Sequence, residues 1–502
     1  MLLKHLKISR EVSVIVYLFF VAVCLPALSY GQSDKVDSEI SKAYHQILAL
    51  RLETGRATLN QIDNYDKTEK GFLIYALNLA DILELLLNED PELYKEKKPL
   101  EKERLTRIEE LSDSDPWKQF CEAEIKLQWA FVKLKYGDEL GAIWSLNQSY
   151  KAVSANSELF PSFLPNKKTS AIFNIIFGAV PQKHQWLLKF FSMSGSTEHG
   201  IEELEDLSFS EDILALESHI LLLLTRAYLM DEANIAILGL KKLARDYNEN
   251  KLIKYLLGIT LLKNSQAENA LEAIKQTDNL TSPYAPIIYS EYLKGEIMLQ
   301  MGKYSHASAQ YASFILKYKG SNFIKDAYYK LFLANYLSGD ESEAQFFLKK
   351  AKTSGTTIAE ADKYAEKQII GDLWPNKDIM KIRLATDGGF YETADSLIQQ
   401  FSVEDFELQK DQVEYIYRKA RLFDKRKITD KALVQYQLTI ENAGNNNWYF
   451  APNAALQLGY IYAEKGQKEE AKMWLEKALS YKDYEYKNSI DNKAEAALQK
   501  LK

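Results

Sequence analysis

The chain is poor in residues that break helices or cross-link loops. Its 502 residues include 21 glycines, 11 prolines and two cysteines. Glycine and proline mark turns and helix ends, so their scarcity indicates long helices joined by short connections. Cys24 lies in an N-terminal apolar segment, which leaves Cys121 as the single cysteine beyond it. A lone cysteine excludes an internal disulfide there, and its helical context predicts a packed core thiol.

The sequence also lacks the common motifs of enzymes and metal sites. It has no Gly-x-Ser-x-Gly elbow, no glycine-rich phosphate loop and no His-Glu-x-x-His motif. None of its six histidines pairs with another at the i, i+4 spacing of a helical metal site. The formal net charge of −7 argues against a nucleic-acid partner, which would favour a basic stripe. We therefore expect no enzyme, no cofactor and no metal, although a catalytic site assembled from distant carboxylates stays open.

The first 31 residues have the pattern of a signal peptide. Three basic residues precede the apolar run Val12–Leu25, and Ser29 and Gly31 fit the −3 and −1 positions of a cleavage site. This predicts cleavage after Gly31 and a periplasmic or cell-envelope location. An uncleaved membrane anchor and a lipoprotein attached at Cys24 are the alternatives. No later apolar segment reads as long enough to span a bilayer.

A 37-residue period runs through the middle of the chain. Ala270, Ala307 and Ala344 are spaced by this interval. The clearest copy is Gly295-x-x-Met298, followed by Gly302-x-Tyr304-x-x-Ala307-x-x-x-Tyr311. This is the tetratricopeptide pattern of helix, glycine turn and helix, with small residues where the two helices cross. It predicts an all-α fold, a solenoid made of a superhelix of antiparallel helix pairs.

Further copies lie near the C-terminus. Seven consensus positions run from Leu458 to Ala478, and a looser copy includes Ala420 and Ala432. Glycine or alanine at a crossing point lets two helix axes approach to roughly 8–10 Å. Gly302, Gly339 and Gly466 fit helix C-termini, where a left-handed conformation suits glycine.

The pattern divides the chain into three parts. Residues 1–31 are the leader, residues 32–210 an N-terminal helical region with irregular repeats, and residues 211–502 a tetratricopeptide-like array continuous with it. Within these parts we expect a helix pair at 115–153 and a degraded repeat at 357–402. The charged stretch Lys95–Arg107 reads as a solvated helix face.

Residues 160–210 and the C-terminal segment resemble a known family. The motifs are an apolar helix at 172–181, Leu187-Leu-Lys-Phe-Phe-Ser-Met-Ser-Gly195, Gly200-x-x-x-Leu204, and the segments 449–459 and 471–484. They resemble the tetratricopeptide repeat protein 39 family, which includes the yeast inclusion-body clearance protein. The resemblance implies a helical-repeat scaffold or adaptor without a catalytic site. The leader departs from that pattern and identifies the chain as an exported, bacterial-type member.

The repeat register predicts where a partner binds. In tetratricopeptide arrays the first helix of each pair lines the concave groove, and the residue fifteen positions before each signature alanine faces it. Four of the five such positions are tyrosines, which are enriched at protein interfaces; the fifth is Leu456. The predicted groove residues are Tyr255, Tyr289, Tyr292, Glu296, Tyr329, Tyr336 and Tyr417. The alternative is that these rings pack between repeats and do not contact a partner.

These patterns favour a non-catalytic, exported scaffold or adaptor that binds a protein or peptide in the concave groove. The alternative is an envelope protein that binds a small ligand or a glycan. The apolar segment 170–191 could contact a membrane peripherally, but helices that are apolar all round are more often buried, and we expect burial.

Overall fold

A computed structural model describes residues 38–62, 67–180, 193–230, 232–370 and 374–501. Within these ranges the chain forms α-helices and one 3-10 turn, Val403–Asp405, and contains no β-strand. The all-helical fold class is therefore confirmed. The leader at 1–31 with its cleavage point, and residues 181–191 of the apolar segment, lie outside the described residues.

The described helices are given in two groups, before and after residue 211, where the sequence pattern predicts a boundary. The helices before residue 211 are α1 (Ser38–Leu48), α2 (Leu52–Asn60), α3 (Lys67–Asn88), α4 (Pro91–Glu109), α5 (Pro116–Lys135), α6 (Glu139–Leu159), α7 (Asn166–Gly178) and α8 (Thr197–Ser208). The helices after it are α9 (Ala215–Tyr228), α10 (Ala233–Asp246), α11 (Lys251–Lys263), α12 (Ala267–Asp278), α13 (Tyr289–Gln300), α14 (Tyr304–Lys317), α15 (Ile324–Ser338), α16 (Glu341–Thr353), α17 (Glu360–Ile370), α18 (Lys377–Gly388), α19 (Tyr391–Ile398), α20 (Gln409–Lys425), α21 (Thr429–Ala443), α22 (Phe450–Glu464), α23 (Lys468–Ser480) and α24 (Lys487–Lys500).

Most helices pack against their neighbour in sequence as a hairpin. The pairs include α5/α6, α11/α12, α13/α14, α15/α16, α20/α21 and α22/α23. The pair predicted at 115–153 is confirmed, because α5 begins after Asp115 and the turn to α6 contains Gly137 with φ +84°. The first helices of successive pairs also touch, as α18 with α20 and α20 with α22. This arrangement is the helical-repeat solenoid that the 37-residue period predicts.

Small residues lie where the paired helices cross, as predicted. Ala270, Ala307 and Ala344 are fully buried. A Cβ atom added to Gly295 would lie 2.9 Å from Cε1 of Tyr311, so any larger side chain would push α13 away from α14. Gly339 ends α15 with φ +95°, a left-handed conformation that glycine adopts without strain.

The segment 357–402 departs from the predicted single degraded repeat. It contains three helices, of which α18 and α19 form a pair around Gly389, whose φ is +86°. The additional helix α17 packs against α15 and α16. The repeat period is lost here because one helix is inserted between two pairs.

The N-terminal region and the repeat array pack against each other. The backbone N–H of Ala285 donates to the carbonyl of Leu50 at 2.7 Å. The Asn322 side chain donates to Glu89 at 2.7 Å, although the two residues are 233 positions apart in sequence. The first contact joins the connection between α1 and α2 to the connection between α12 and α13, and the second joins the end of α3 to the connection between α14 and α15. Later parts of the solenoid therefore pack onto its earlier helices.

One expectation for the N-terminal region is wrong, and a second holds only in part. One helix segment, Lys70–Asn88, is long and apolar enough to span a membrane by composition, although no such segment was expected; most of it is buried inside the protein, as the core helix of a folded domain can be. The charged helix α4 is only partly solvated, because Lys97 and Arg104 turn inward and form ion pairs with Asp81. The two cations turn inward because Asp81 on α3 is buried beside them, and the sequence of α4 alone does not show this partner.

Candidate functional site

The structure buries most of the predicted groove tyrosines. Tyr255, Tyr292, Tyr329 and Tyr417 keep 6, 6, 2 and 3 % of their surface exposed, and Leu456 keeps 1 %. Tyr289, Glu296 and Tyr336 are half-buried. The four buried rings therefore pack between helices, and their role in binding a partner stays a prediction.

The contacts of the predicted residues on α13 explain this burial. The Tyr292 ring stacks on Tyr289 with 4.9 Å between centroids, and its hydroxyl donates to Asp326 on α15. Glu296 accepts from the Tyr311 hydroxyl at 3.0 Å and pairs with Lys330 at 2.9 Å. Each polar tip thus has an acceptor or a cation on a neighbouring helix, which allows the ring to be buried.

A second set of side chains lies on α17, α18 and α20 and just before α22 and α24. We call it the arginine–tyrosine face, and it consists of Arg383, Arg418, Arg421, Tyr364, Tyr417, Tyr449 and Tyr486. Arg418 donates to the Tyr449 hydroxyl at 2.8 Å, and Arg421 donates to Gln457 on α22 at 3.1 Å. The side chains of Arg383 and Arg421 are 27 and 25 % exposed. The face therefore joins α18, α20 and α22 and leaves two guanidinium groups within reach of solvent.

The tyrosines of this face, together with Tyr329 on α15, form a continuous chain of ring contacts. Tyr329 meets Tyr364 at 6.3 Å between centroids, and Tyr364 stacks on Tyr486 at 6.0 Å. Tyr486 meets Tyr449 edge-on at 5.3 Å, and Tyr449 meets Tyr417 at 5.9 Å. Tyr486 precedes α24, so these rings connect the last helix of the chain back to α17.

The arginines set the electrostatics of the face. Burial raises the pKa of Tyr417, and the positive charges of Arg421, Arg418 and Arg383 oppose that rise. The guanidinium of Arg418 lies 5.2 Å from the centroid of the Tyr417 ring, a favourable cation–π geometry. The Tyr417 phenol thus stays neutral near pH 7, and the arginines supply the charge.

Sequence reasoning missed all three arginines. That reasoning ranked positions on the first helices by the tetratricopeptide register. Arg418 and Arg421 lie one and four residues beyond the ranked position Tyr417, and Arg383 lies in the irregular pair α18/α19. A signal was present, since Arg418 and Arg421 interrupt the apolar face of α20. The register alone does not show which side chains on adjacent helices meet.

A buried polar network occupies the N-terminal region. Lys168 lies 2.7 Å from a carboxylate oxygen of Glu124 and 2.7 Å from one of Glu217, and none of the three side chains is exposed. The hydroxyls of Tyr44 and Tyr75 donate to Glu217 at 2.8 and 2.9 Å. Burial raises the pKa of Glu217 to about 7 against the pull of Lys168. This network ties together α1, α3, α5, α7 and α9 and is closed to ligands.

An open cleft of roughly 940 Å³ lies between α2, α3 and the connection from α12 to α13. Its charged side chains already have partners. Lys294 pairs with Asp278 at 3.1 Å, Lys317 pairs with Glu291 at 3.0 Å, and Lys251 donates to the carbonyl of Leu280 at 2.8 Å. The cleft therefore offers space without an unsatisfied polar group that would select a ligand.

The remaining expectations concern the apolar segment and metal ligands. Within residues 170–180, Phe173 and Phe177 are buried in the core and pack on Tyr150, which agrees with burial there. Trp186, Leu187, Phe190 and Phe191 lie outside the described residues. Cys121 is fully buried in the core. Across the described ranges, no group of three or more His, Cys, Asp or Glu side chains is arranged to hold a metal ion.

No protein-family model and no curated protein matches the chain. Solved structures that match the chain include the Cut9–Hcn1 hetero-tetramer of the APC/C, with 13 % identity, 91 % of this chain and 96 % of that chain covered, and a TM-score of 0.25. Another is a monomeric mutant of IFIT1 with Gppp-AAAA, with 14 % identity, 94 and 96 % coverage, and a TM-score of 0.26. Likenesses this distant carry nothing about binding, so the solenoid fold stands on the helices and contacts described above.

Proposed function

We propose that the protein is a non-catalytic scaffold that binds a protein or peptide partner along the arginine–tyrosine face. One observation supports this most: the first helices α18, α20 and α22 lie side by side and bring arginine and tyrosine side chains from separate repeats together. Tyrosine and arginine are the residue types enriched at protein interfaces. The site requires no cofactor and no metal.

The proposal places this scaffold in the periplasm or cell envelope. The basic and apolar leader with its small-residue cleavage pattern supports export. Membership of the tetratricopeptide repeat protein 39 family is part of the same proposal and rests on the sequence motifs at 172–204 and 449–484. Amino-terminal sequencing of the protein from its native host would test export, since processed protein would begin at Gln32.

Site-specific photo-crosslinking tests the proposed function. A photoreactive p-benzoylphenylalanine replaces Asp387, whose side chain is 51 % exposed beside Arg383 on the first helix α18. The matched control carries the same group in place of Glu392, an exposed acid on the second helix α19. We expect a crosslinked polypeptide from position 387 and none from position 392 in the native cell. Equal crosslinking at both positions, or crosslinking at 392 alone, would contradict the proposal.

A further inference from the structure

Arg383 occupies the centre of the arginine–tyrosine face. It lies on α18, and its guanidinium carbon is 5.6 Å from the centroid of the Tyr364 ring. One of its terminal nitrogens donates to the Tyr364 hydroxyl at 2.8 Å. The nearest acid, Asp387, is 3.6 Å away and half exposed, which makes the ion pair loose. The side chain is held in place by an aromatic neighbour rather than by a carboxylate.

The hydrogen bonds of Arg383 leave donors unused. A guanidinium carries five N–H donors. Among the described residues, the Tyr364 hydroxyl is the one acceptor within hydrogen-bond distance of Arg383. Arg418, by comparison, donates to Glu414 at 3.1 and 2.6 Å and to Tyr449 at 2.8 Å. The difference between these neighbouring arginines shows which cation has room for an external acceptor.

We propose that Arg383 binds a carboxylate side chain of an acidic, extended polypeptide segment. The planar fork of arginine matches the two oxygens of a carboxylate, which gives a bidentate pair. Arg421 on the next first helix is 25 % exposed and pairs with Asp424 at 3.3 Å through one terminal nitrogen. Its other donors make it a second, weaker cation for a neighbouring acid of the same segment. The half-buried rings of Tyr364, Tyr449 and Tyr486 on the same face provide apolar surface for the backbone of the segment. This inference rests on the proposed function and assigns its ligand class.

The net charge of the chain means that an acidic ligand is attracted only by cations at the site itself. The chain carries a formal net charge of −7, so it repels an acidic ligand at long range. Binding must then come from the two partly exposed arginine side chains, and added salt weakens it by screening. A general electrostatic attraction would instead be insensitive to the loss of a single arginine.

Fluorescence anisotropy with labelled poly-L-glutamate tests the inference on the full chain. This polymer presents carboxylates at many spacings, so no particular sequence is needed. We expect R383Q to weaken binding about tenfold or more, which corresponds to about 1.4 kcal/mol. R383K is expected to restore part of the affinity, because lysine keeps the charge but lacks the fork. R245Q, at an exposed arginine on α10, is the matched control and should bind like the wild type.

A variant expected to bind more tightly separates a lost contact from a lost fold, because misfolding cannot increase binding. Asp387→Asn removes the acid that competes for Arg383, so we expect tighter binding of poly-L-glutamate by this variant. Absence of wild-type binding at low salt, or equal affinities of wild type and R383Q, would overturn the inference. Either result would leave the photo-crosslinking test of the proposed function intact, since that experiment does not depend on an acidic ligand.

Discussion

Lys168 and Glu217 form a fully buried ion pair, with 2.7 Å between the ammonium nitrogen and a carboxylate oxygen. Lys168 follows the Pro165 turn at the start of α7, and Glu217 lies in the first turn of the leucine-rich helix α9. A buried cation between two carboxylates is stable only while all its partners remain. The pair therefore fixes the positions of α7 and α9 in the N-terminal region.

Replacing Lys168 by methionine should destabilise the protein strongly. The change leaves Glu124 and Glu217 buried without their cation, and breaking such a buried pair costs about 3–5 kcal/mol. The adjacent Lys167 is a matched control, because its ion pair with Asp206 is exposed at 37 and 63 % of the two side chains. Lys167→Met should change the free energy of unfolding by less than about 1 kcal/mol. Urea denaturation measures both, and equal effects would contradict the role of the network.

Asp362 should make stability depend on pH. Burial raises its pKa from 3.8 to about 7, although the backbone N–H groups of Asp326 and Phe323 donate to it. A group whose pKa is raised by folding stabilises the protein below its unfolded pKa, and this contribution is lost as the pH rises through the folded value. The loss falls between about pH 4 and pH 7.

The variant Asp362→Asn isolates the contribution of Asp362 to the pH dependence of stability. Its free energy of unfolding relative to wild type should increase from pH 4.5 to pH 8 by roughly 2 kcal/mol or more, since one pKa unit corresponds to about 1.4 kcal/mol. Chemical denaturation at both pH values measures the difference. Histidines and the acids distant from Asp362 titrate in both proteins and cancel in the comparison. Asp326 is the exception, because its charge helps to raise the pKa of Asp362. A constant difference between the two proteins would show that Asp362 is ionised throughout.

The crossing of α13 and α14 should not tolerate a larger side chain at Ala307. Ala307 is fully buried, so Ala307→Leu forces the helices apart and should cost about 1–3 kcal/mol. Ala309 lies on the same helix and is exposed. Ala309→Leu makes the same chemical change in open space and should leave the midpoint of thermal unfolding nearly unchanged. Indistinguishable midpoints for the two variants would contradict the close crossing.

The hydroxyl of Tyr292 should contribute to stability through Asp326. It donates to that buried carboxylate, and a hydrogen bond to a charged group is worth about 1.5–3 kcal/mol. Tyr292→Phe keeps the ring and removes only the hydroxyl. We expect a destabilisation in this range in urea denaturation, and a value near zero would show that Asp326 does not depend on Tyr292.

Sequence alone predicts the repeat architecture well because it depends on local rules. The spacing of Ala270, Ala307 and Ala344 and the glycine turns is fixed by packing between adjacent helices. The candidate site depends instead on contacts between distant parts of the chain. Whether Arg383 is left with spare donors depends on parts of the chain far from α18, such as α17, which supplies Tyr364, and the start of α24, where Tyr486 lies. The burial of Tyr292 likewise depends on Asp326 on α15. Such contacts between distant side chains depend on the curvature of the solenoid, which the sequence of a single repeat does not determine.

Hydrogen exchange on the complex with a crosslinked partner segment would test most directly that recognition occurs on the first helices. Partner binding should slow amide exchange in α18, α20 and α22, which carry the arginine–tyrosine face. Exchange in the second helices α19, α21 and α23 should stay as in the free protein. Protection confined to the second helices, or to the cleft beside α2 and α3, would contradict the proposed binding face.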